Sequence, residues 1–376
     1  MIKFTTKIFN CLTFIFYILV AFMIFIKSLN ADILKIDKFN VSEEVSIVTI
    51  KGYGVSYGVG LDSLKNIYIP SFDRGFLYKI SPDLKNYSVY DLQDNKLEKI
   101  SENKSPKQSQ GKFVQPHDIT FDEMDNLYVT EMGLGRGKLG GQVTKISKNG
   151  EVIAKIGSDY NENKGLDGPT VSHFAKDGFL YVSEWRAHRI LRYDNNYKID
   201  KIIGKKNDDK ENLFDALEYP HALRIGPKNE IYIADTNNHR IVKLDKAGNY
   251  LGWIGKRDDG TINDDWSAYG NSIKGSELGA FSDPIDLEIF QDKIYITEYG
   301  NHRITKIDLS GRSLGFIGET NQNKDQLYWD TNGEQLKGNS LVGLHSPFGL
   351  RIVDKIMYVA DKNNGRIKII KSNLFD

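Results

Sequence analysis

A short apolar strand centred on tyrosine recurs six times along the chain, as Ile67-Tyr68-Ile69, Leu127-Tyr128-Val129, Leu180-Tyr181-Val182, Ile231-Tyr232-Ile233, Ile294-Tyr295-Ile296 and Met357-Tyr358-Val359. The tyrosines stand 51 to 63 residues apart, a period that suits a propeller blade with loops of variable length. Each strand follows another, such as Ala222-Leu223-Arg224-Ile225, and precedes a third, such as Arg240-Ile241-Val242-Lys243-Leu244. In four copies a fourth apolar strand ends in Ile-Gly, at Ile156-Gly157, Ile203-Gly204, Ile254-Gly255 and Ile317-Gly318. Asn, Asp and Gly in the intervening turns, as in Lys148-Asn149-Gly150, accept the positive φ of tight hairpins. The pattern predicts an all-β, six-bladed β-propeller of four-stranded antiparallel blades over residues 45–372. It overrides the two or three domains that 376 residues would otherwise suggest. The sixth unit stops at its third strand, so residues 45–50 (Val-Ser-Ile-Val-Thr-Ile) are expected to supply the missing outer strand and close the ring.

Upstream, residues 8–26 form an apolar run broken by Asn10 and Thr13, long enough to cross a hydrocarbon core of about 30 Å as a helix. Lys3 and Lys7 precede it, which keeps the N-terminus cytoplasmic and sends the rest outward. Residues 1–31 are read as a signal peptide or membrane anchor and residues 32–44 as a linker. Cleavage and retention both stay open, because Leu29 occupies the third position from a cut after Ala31. The expected location is extracytoplasmic, either periplasmic or extracellular, with the protein membrane-anchored or secreted. Cys11 is the single cysteine, which excludes an intrachain disulfide and a cysteine metal cluster. Lys plus Arg and Asp plus Glu both total 50, so no nucleic-acid partner is expected. A monomeric propeller is the expected state.

The segments Tyr232-Ile-Ala-Asp-Thr-Asn-Asn-His239-Arg240-Ile241 and Tyr295-Ile-Thr-Glu-Tyr-Gly-Asn-His302-Arg303-Ile304 resemble the NHL repeat, and residues 181–190 and 358–367 carry degenerate versions. The resemblance implies a propeller that serves enzymes, protein-interaction modules or RNA binders. Within it, Glu184, Asp235, Glu298 and Asp361 each stand five residues before an arginine. A catalytic group is not needed four times, so these acids are expected to cap hairpin amides and pair with their arginines. His188, His239 and His302 share that structural reading.

Insertions concentrate on one face, in the connections at residues 91–114, 205–219, 256–282 and 319–346, and such a face usually binds. Aligned on the blade tyrosines, the innermost strands begin at that face with Tyr57, His117, Thr170, His221, Ile285 and Phe348. His117 and His221 both follow proline and sit two blades apart. These stretches resemble the peptidyl-α-hydroxyglycine amidating lyases, in which three histidines after prolines on alternate blades hold zinc. The resemblance places two ligands at His117 and His221 and the third at Phe348, while Trp185 and Thr236 occupy the neighbourhoods of that family's catalytic tyrosine and arginine. A zinc site needs three protein ligands, which leaves Asp118 as the candidate for the third. Two functions therefore remain open. One is a module binding a protein partner or small ligand at Tyr57, His117, Thr170, His221 and Trp185, with no cofactor. The other is a lyase or hydrolase using a divalent metal such as zinc or calcium on His117, His221 and Asp118.

Overall fold

The computed structural model describes residues 34–40, 45–104, 106–107, 110–134, 140–158, 165–204, 216–266, 270–322, 326–332 and 335–375. The apolar run at 8–26 lies outside the described residues. Among the described residues no helix is long and apolar enough to cross a membrane.

Six antiparallel meanders surround a central axis. Their innermost strands are Gly60–Leu61, Pro116–Phe121, Pro169–Phe174, Pro220–Ile225, Pro284–Phe290 and Pro347–Val353, and each meander then runs outward in chain order. Blade three shows the unit in its plain form, with Pro169–Phe174, Leu180–Glu184, Arg189–Tyr193 and Ile199–Ile203. The blade tyrosines lie on the second strands and are buried, from fully at Tyr128 and Tyr232 to 8% exposed at Tyr68. Between blades they build a series of apolar seams; one joins Tyr181, Ile190 and Ile203 of blade three to Leu223, Ile233 and Trp253 of blade four.

Val45–Lys51 pairs antiparallel with Arg366–Ser372, with Ile50 opposite Ile367 and Ile47 opposite Ile370, so the two ends of the propeller share blade six. A further strand, Lys35–Asn40, pairs with Val45–Lys51 from the outside, within the stretch expected to be linker. Its residues are mostly exposed, as befits an edge strand that shields the closing one.

Blade one also departs from four strands. Residues from Asp91 onward, expected to be a connection, continue the strand Tyr87–Gln93 and return as Lys96–Glu102. The turn explains the difference: Asp94 and Asn95, with φ of 47° and 65°, fill a two-residue hairpin turn.

The repeated acids grip the connection entering their own blade, and this differs from the expected capping of hairpin amides. Asp235 accepts the Glu218 N–H at 2.7 Å, Glu298 that of Ser282 at 3.1 Å, and Asp361 that of His345 at 2.8 Å. Glu131 and Glu184 take the amides of Val114 and Asp167, both at 2.8 Å. In all five blades the gripped amide belongs to the residue two before the proline of the innermost strand. The paired arginines hold the other side of the same segment. Arg240, Arg303 and Arg366 donate to their acids at 2.6 to 2.7 Å and to the carbonyls of Ala216, Ala280 and Gly343, each at 2.8 Å.

The repeated histidines lock the next residue along. His188, His239 and His302, all at positive φ, accept through Nδ1 the backbone N–H of Tyr219, Asp283 and Ser346 at 3.1 to 3.2 Å. Each donor lies one residue before the proline of the following blade. Clamp and histidine together leave the residue after that proline no freedom to drift from the mouth of the axis.

Ring closure should depend on the pairing of the chain ends. Ile50 is fully buried in the seam between blades six and one, so Ile50→Ala should cost about 2–5 kcal/mol in urea unfolding. A variant as stable as the parent would show that closure does not rest on this strand.

Candidate functional site

The mouth of the axis holds two concentric rings with one residue from each blade. The inner ring is Tyr57, three residues before its innermost strand, and His117, Thr170, His221, Ile285 and Phe348, each at the start of theirs. The outer ring is Phe72, Met132, Trp185, Thr236, Tyr299 and Lys362, each immediately after the second strand. With Asn237 and Asp283 they line a cavity of about 410 Å³. All five residues expected to bind, Tyr57, His117, Thr170, His221 and Trp185, fall on this one cup. Phe72, Met132, Asn237, Asp283, Tyr299 and Lys362 were missed. Their sequence signal was available, because most of the outer ring follows directly after the acid of each repeat.

The walls are aromatic and tightly interlocked. Tyr57 stacks face to face on His117 at 4.7 Å and meets Phe72 and Phe348 edge-on at 4.7 and 4.8 Å. Trp185 leans on Tyr219 at 4.8 Å. Trp266 and Trp329, the tryptophans of the long connections, pack elsewhere; their indole N–H groups donate to the carbonyls of Leu309 and Leu374.

His117 and His221 are 3% and 5% exposed, with ring centroids 5.0 Å apart. Each ring bonds the backbone of the next mouth residue in line, His117 at Thr170 and His221 at Ile285. Their Nδ1 atoms are buried without a partner, so each ring N–H facing a carbonyl is Nε2 and each Nδ1 is a free acceptor. Burial, and for His117 also the neighbouring His221, holds His117 well below the ordinary imidazole range; burial takes His221 to about 4. Both rings are neutral at neutral pH.

A metal on these histidines is not supported by the third position. The centroids of His117, His221 and Phe348 form a triangle with sides of 5.0, 5.1 and 6.3 Å. Three imidazoles on one tetrahedral zinc, with Zn–N near 2.0–2.1 Å, would have centroids about 5 Å apart. Two sides match that spacing and the third is wider, and a benzyl group without a donor atom fills the corner at Phe348. Among the described residues no three His, Cys, Asp or Glu side chains group to hold a metal ion.

Asp118 is not a ligand in waiting. Arg351 binds both of its carboxylate oxygens at 3.0 and 2.9 Å, reaching from blade six to blade two across the axis. The same guanidinium donates to Asp286 at 3.0 Å, and Arg224 bridges Asp286 at 3.0 Å and Glu288 at 3.3 Å. This network lies on the innermost strands beneath the mouth ring and forms the floor of the cup. Blade one leaves room for it with Gly58, where a Cβ would stand 2.5 Å from the Asp118 carboxylate. Burial is the largest influence on Asp118 and raises its pKa to about 6 against the lowering effect of Arg351. His173, also on an innermost strand, is held well below the imidazole range by burial and by the two arginines.

The fold and the cup define a six-bladed propeller with a ring-lined mouth. Residues 217–244 match the NHL repeat. The chain is 23% identical over 214 residues to NHL repeat-containing protein 2 of Gallus gallus, covering 51% of this chain and 28% of that protein. It is 28% identical over 142 residues to the probable peptidyl-alpha-hydroxyglycine alpha-amidating lyase pgal-1 of Caenorhabditis elegans, covering 35% of this chain and 37% of that one. The matches thus span about a third of these relatives or less. A catalytically inactive virginiamycin B lyase from Staphylococcus aureus with quinupristin is similar in fold, at a TM-score of 0.50 and 14% identity over 90% of this chain and 99% of the other.

Two outcomes follow from this geometry. Phe348→His should create stoichiometric zinc binding, measured by calorimetry and by cobalt substitution spectra, where the parent binds none; a parent that takes up one equivalent would overturn the reading of Phe348. Arg351→Met should destabilise the fold by about 3–5 kcal/mol, because it strands buried carboxylates. An unfolded aspartate releases its proton near pH 4 whereas Asp118 keeps it to about 6. The folded state is therefore the proton-richer one between these values, and this group's contribution to stability falls as pH rises through them. Losing Arg351 raises the Asp118 pKa further, so the variant's loss in urea unfolding should be larger at pH 8 than at pH 5. Equal losses would contradict this.

Proposed function

We propose that this chain is an exported propeller that binds a small organic ligand in the cup at its long-loop face. The observation that carries the reading is the cup itself: about 410 Å³, walled by rings from all six blades and floored by a closed ion network. Volumes of this order with mostly apolar walls and few placed polar groups suit small-molecule recognition. Tyr57, Trp185, Tyr299 and Phe348 supply flat apolar contact.

The metal-dependent lyase or hydrolase is the weaker reading. It needs a third donor where Phe348 stands, and Asp118, the alternative donor, is already bound twice by Arg351. The amidating lyase relative shares about a third of this chain, and the structural neighbour supports the fold alone.

Export rests on the charge pattern around the apolar run at residues 8–26. Aromatic fragments should bind in the cup and perturb Trp185 fluorescence, with Trp185→Phe removing the signal. Met132→Trp, on the half-exposed outer ring, should block binding without unfolding the propeller. Binding unchanged in Met132→Trp would place the ligand elsewhere, and a C-terminal tag that resists external protease in intact cells would defeat export.

A further inference from the structure

The reading of the cup as a ligand site leaves one of its residues without a structural task. Lys362 stands where the other blades place Phe72, Met132, Trp185, Thr236 and Tyr299. Its Nζ lies 5.2 Å from the ring centroid of Tyr57 and 5.4 Å from those of Tyr299 and Phe348. Ring faces attract a cation through their quadrupoles but leave its unit charge intact. Among the described residues no carboxylate lies within 4 Å of this ammonium, and none of its three N–H donors finds an acceptor. The clamps at other second-strand ends show how this fold treats a structural cation: Arg240, Arg303 and Arg366 are each tied to an acid. Lys362 is instead held in place by aromatic rings with its donors unspent.

The remaining charges of the cup do not compete with it. His117 and His221 are neutral for the reasons given above. Asp283 turns its carboxylate toward the rim, where an added Cβ at Gly300 would meet it at 2.7 Å, and its side chain is 36% exposed and so screened by solvent.

We propose that the cup takes an organic anion: a carboxylate on an apolar, ring-bearing body, with the carboxylate on Lys362 and the body against Tyr57, Tyr299 and Phe348. The proposal rests on the cup being the ligand site. A carboxylate matches the three directed donors of an ammonium, and the surrounding rings exclude water, which strengthens the pairing. A neutral isostere such as the primary amide loses this pairing while keeping the apolar contacts.

The test compares phenylacetate with phenylacetamide by calorimetry and ligand-observed NMR. The parent should prefer the acid by about tenfold or more, the equivalent of about 1.4 kcal/mol, and the preference should weaken as salt is raised. Lys362→Met should bring the acid down to the affinity of the amide and leave the amide unchanged, whereas Lys362→Arg should retain the preference. Equal affinities in the parent, or a preference that survives Lys362→Met, would overturn the anion assignment while leaving the cup as a ligand site. If Met132→Trp leaves both probes bound, the cup reading itself fails and the anion assignment with it; the same holds if neither probe binds the parent.

Discussion

A buried carboxylate at the end of the second strand in five of the six blades governs what the propeller can present at its mouth. In blades two to six that carboxylate accepts the amide of the residue two before the innermost strand's proline. In blades four to six the paired arginine takes a carbonyl of the same segment. Charge-assisted hydrogen bonds of this kind are short and directional, and burial makes each one expensive to break from one side. The chain therefore arrives at the proline along a fixed line, and a histidine from the preceding blade secures the residue between in three of the seams. The residue after the proline inherits its position from this clamp rather than from its own contacts. The mouth can accordingly carry imidazole, hydroxyl, benzyl or isobutyl-like groups at equivalent places without disturbing the fold.

The floor of the cup follows a different rule. Clamps repeat within blades, but the network of Arg224, Arg351, Asp118, Asp286 and Glu288 joins four different blades and repeats in none. It is possible only because neighbouring positions are vacated: Gly58 and Gly60 give blade one no side chain beyond a hydrogen at either position. The network ties the innermost strands of those four blades to one another across the axis.

Repetition also decided what could be read from the residues alone. Blade number, blade boundaries and the inner mouth ring emerge from local periodicity, since a tyrosine strand and its two neighbours fix the phase of every residue between them. The pairing of Val45–Lys51 with Arg366–Ser372 is likewise legible, because a ring whose sixth blade stops at its third strand needs another strand and the alternating segment ahead of blade one lacks a partner. The fifth strand Lys35–Asn40 is not legible in this way; its pairing satisfies no deficit in the ring. The ion pair of Asp118 is hidden for a related reason. Its neighbour His117 suggests a metal, while the group that claims its oxygens, Arg351, lies 233 residues further along, and no periodic argument joins the two. Lys362 was overlooked because the motif surrounding it reads as a degenerate repeat.

Degeneracy is where the functional information lies in such a chain. Residues that build the clamp must stay close to one chemistry in each blade, so their variation is suppressed by the fold. The residue directly after the second strand is under no such demand, as Phe72, Met132, Trp185, Thr236, Tyr299 and Lys362 illustrate with six different side chains. A lysine at one of these places brings a charge that the fold does not require and that no acid of the described residues within 4 Å balances. Phe348 is free of the clamp in the same way, and it adds to the mouth a ring without a donor atom, 5.1 Å from His221 and 6.3 Å from His117 between centroids.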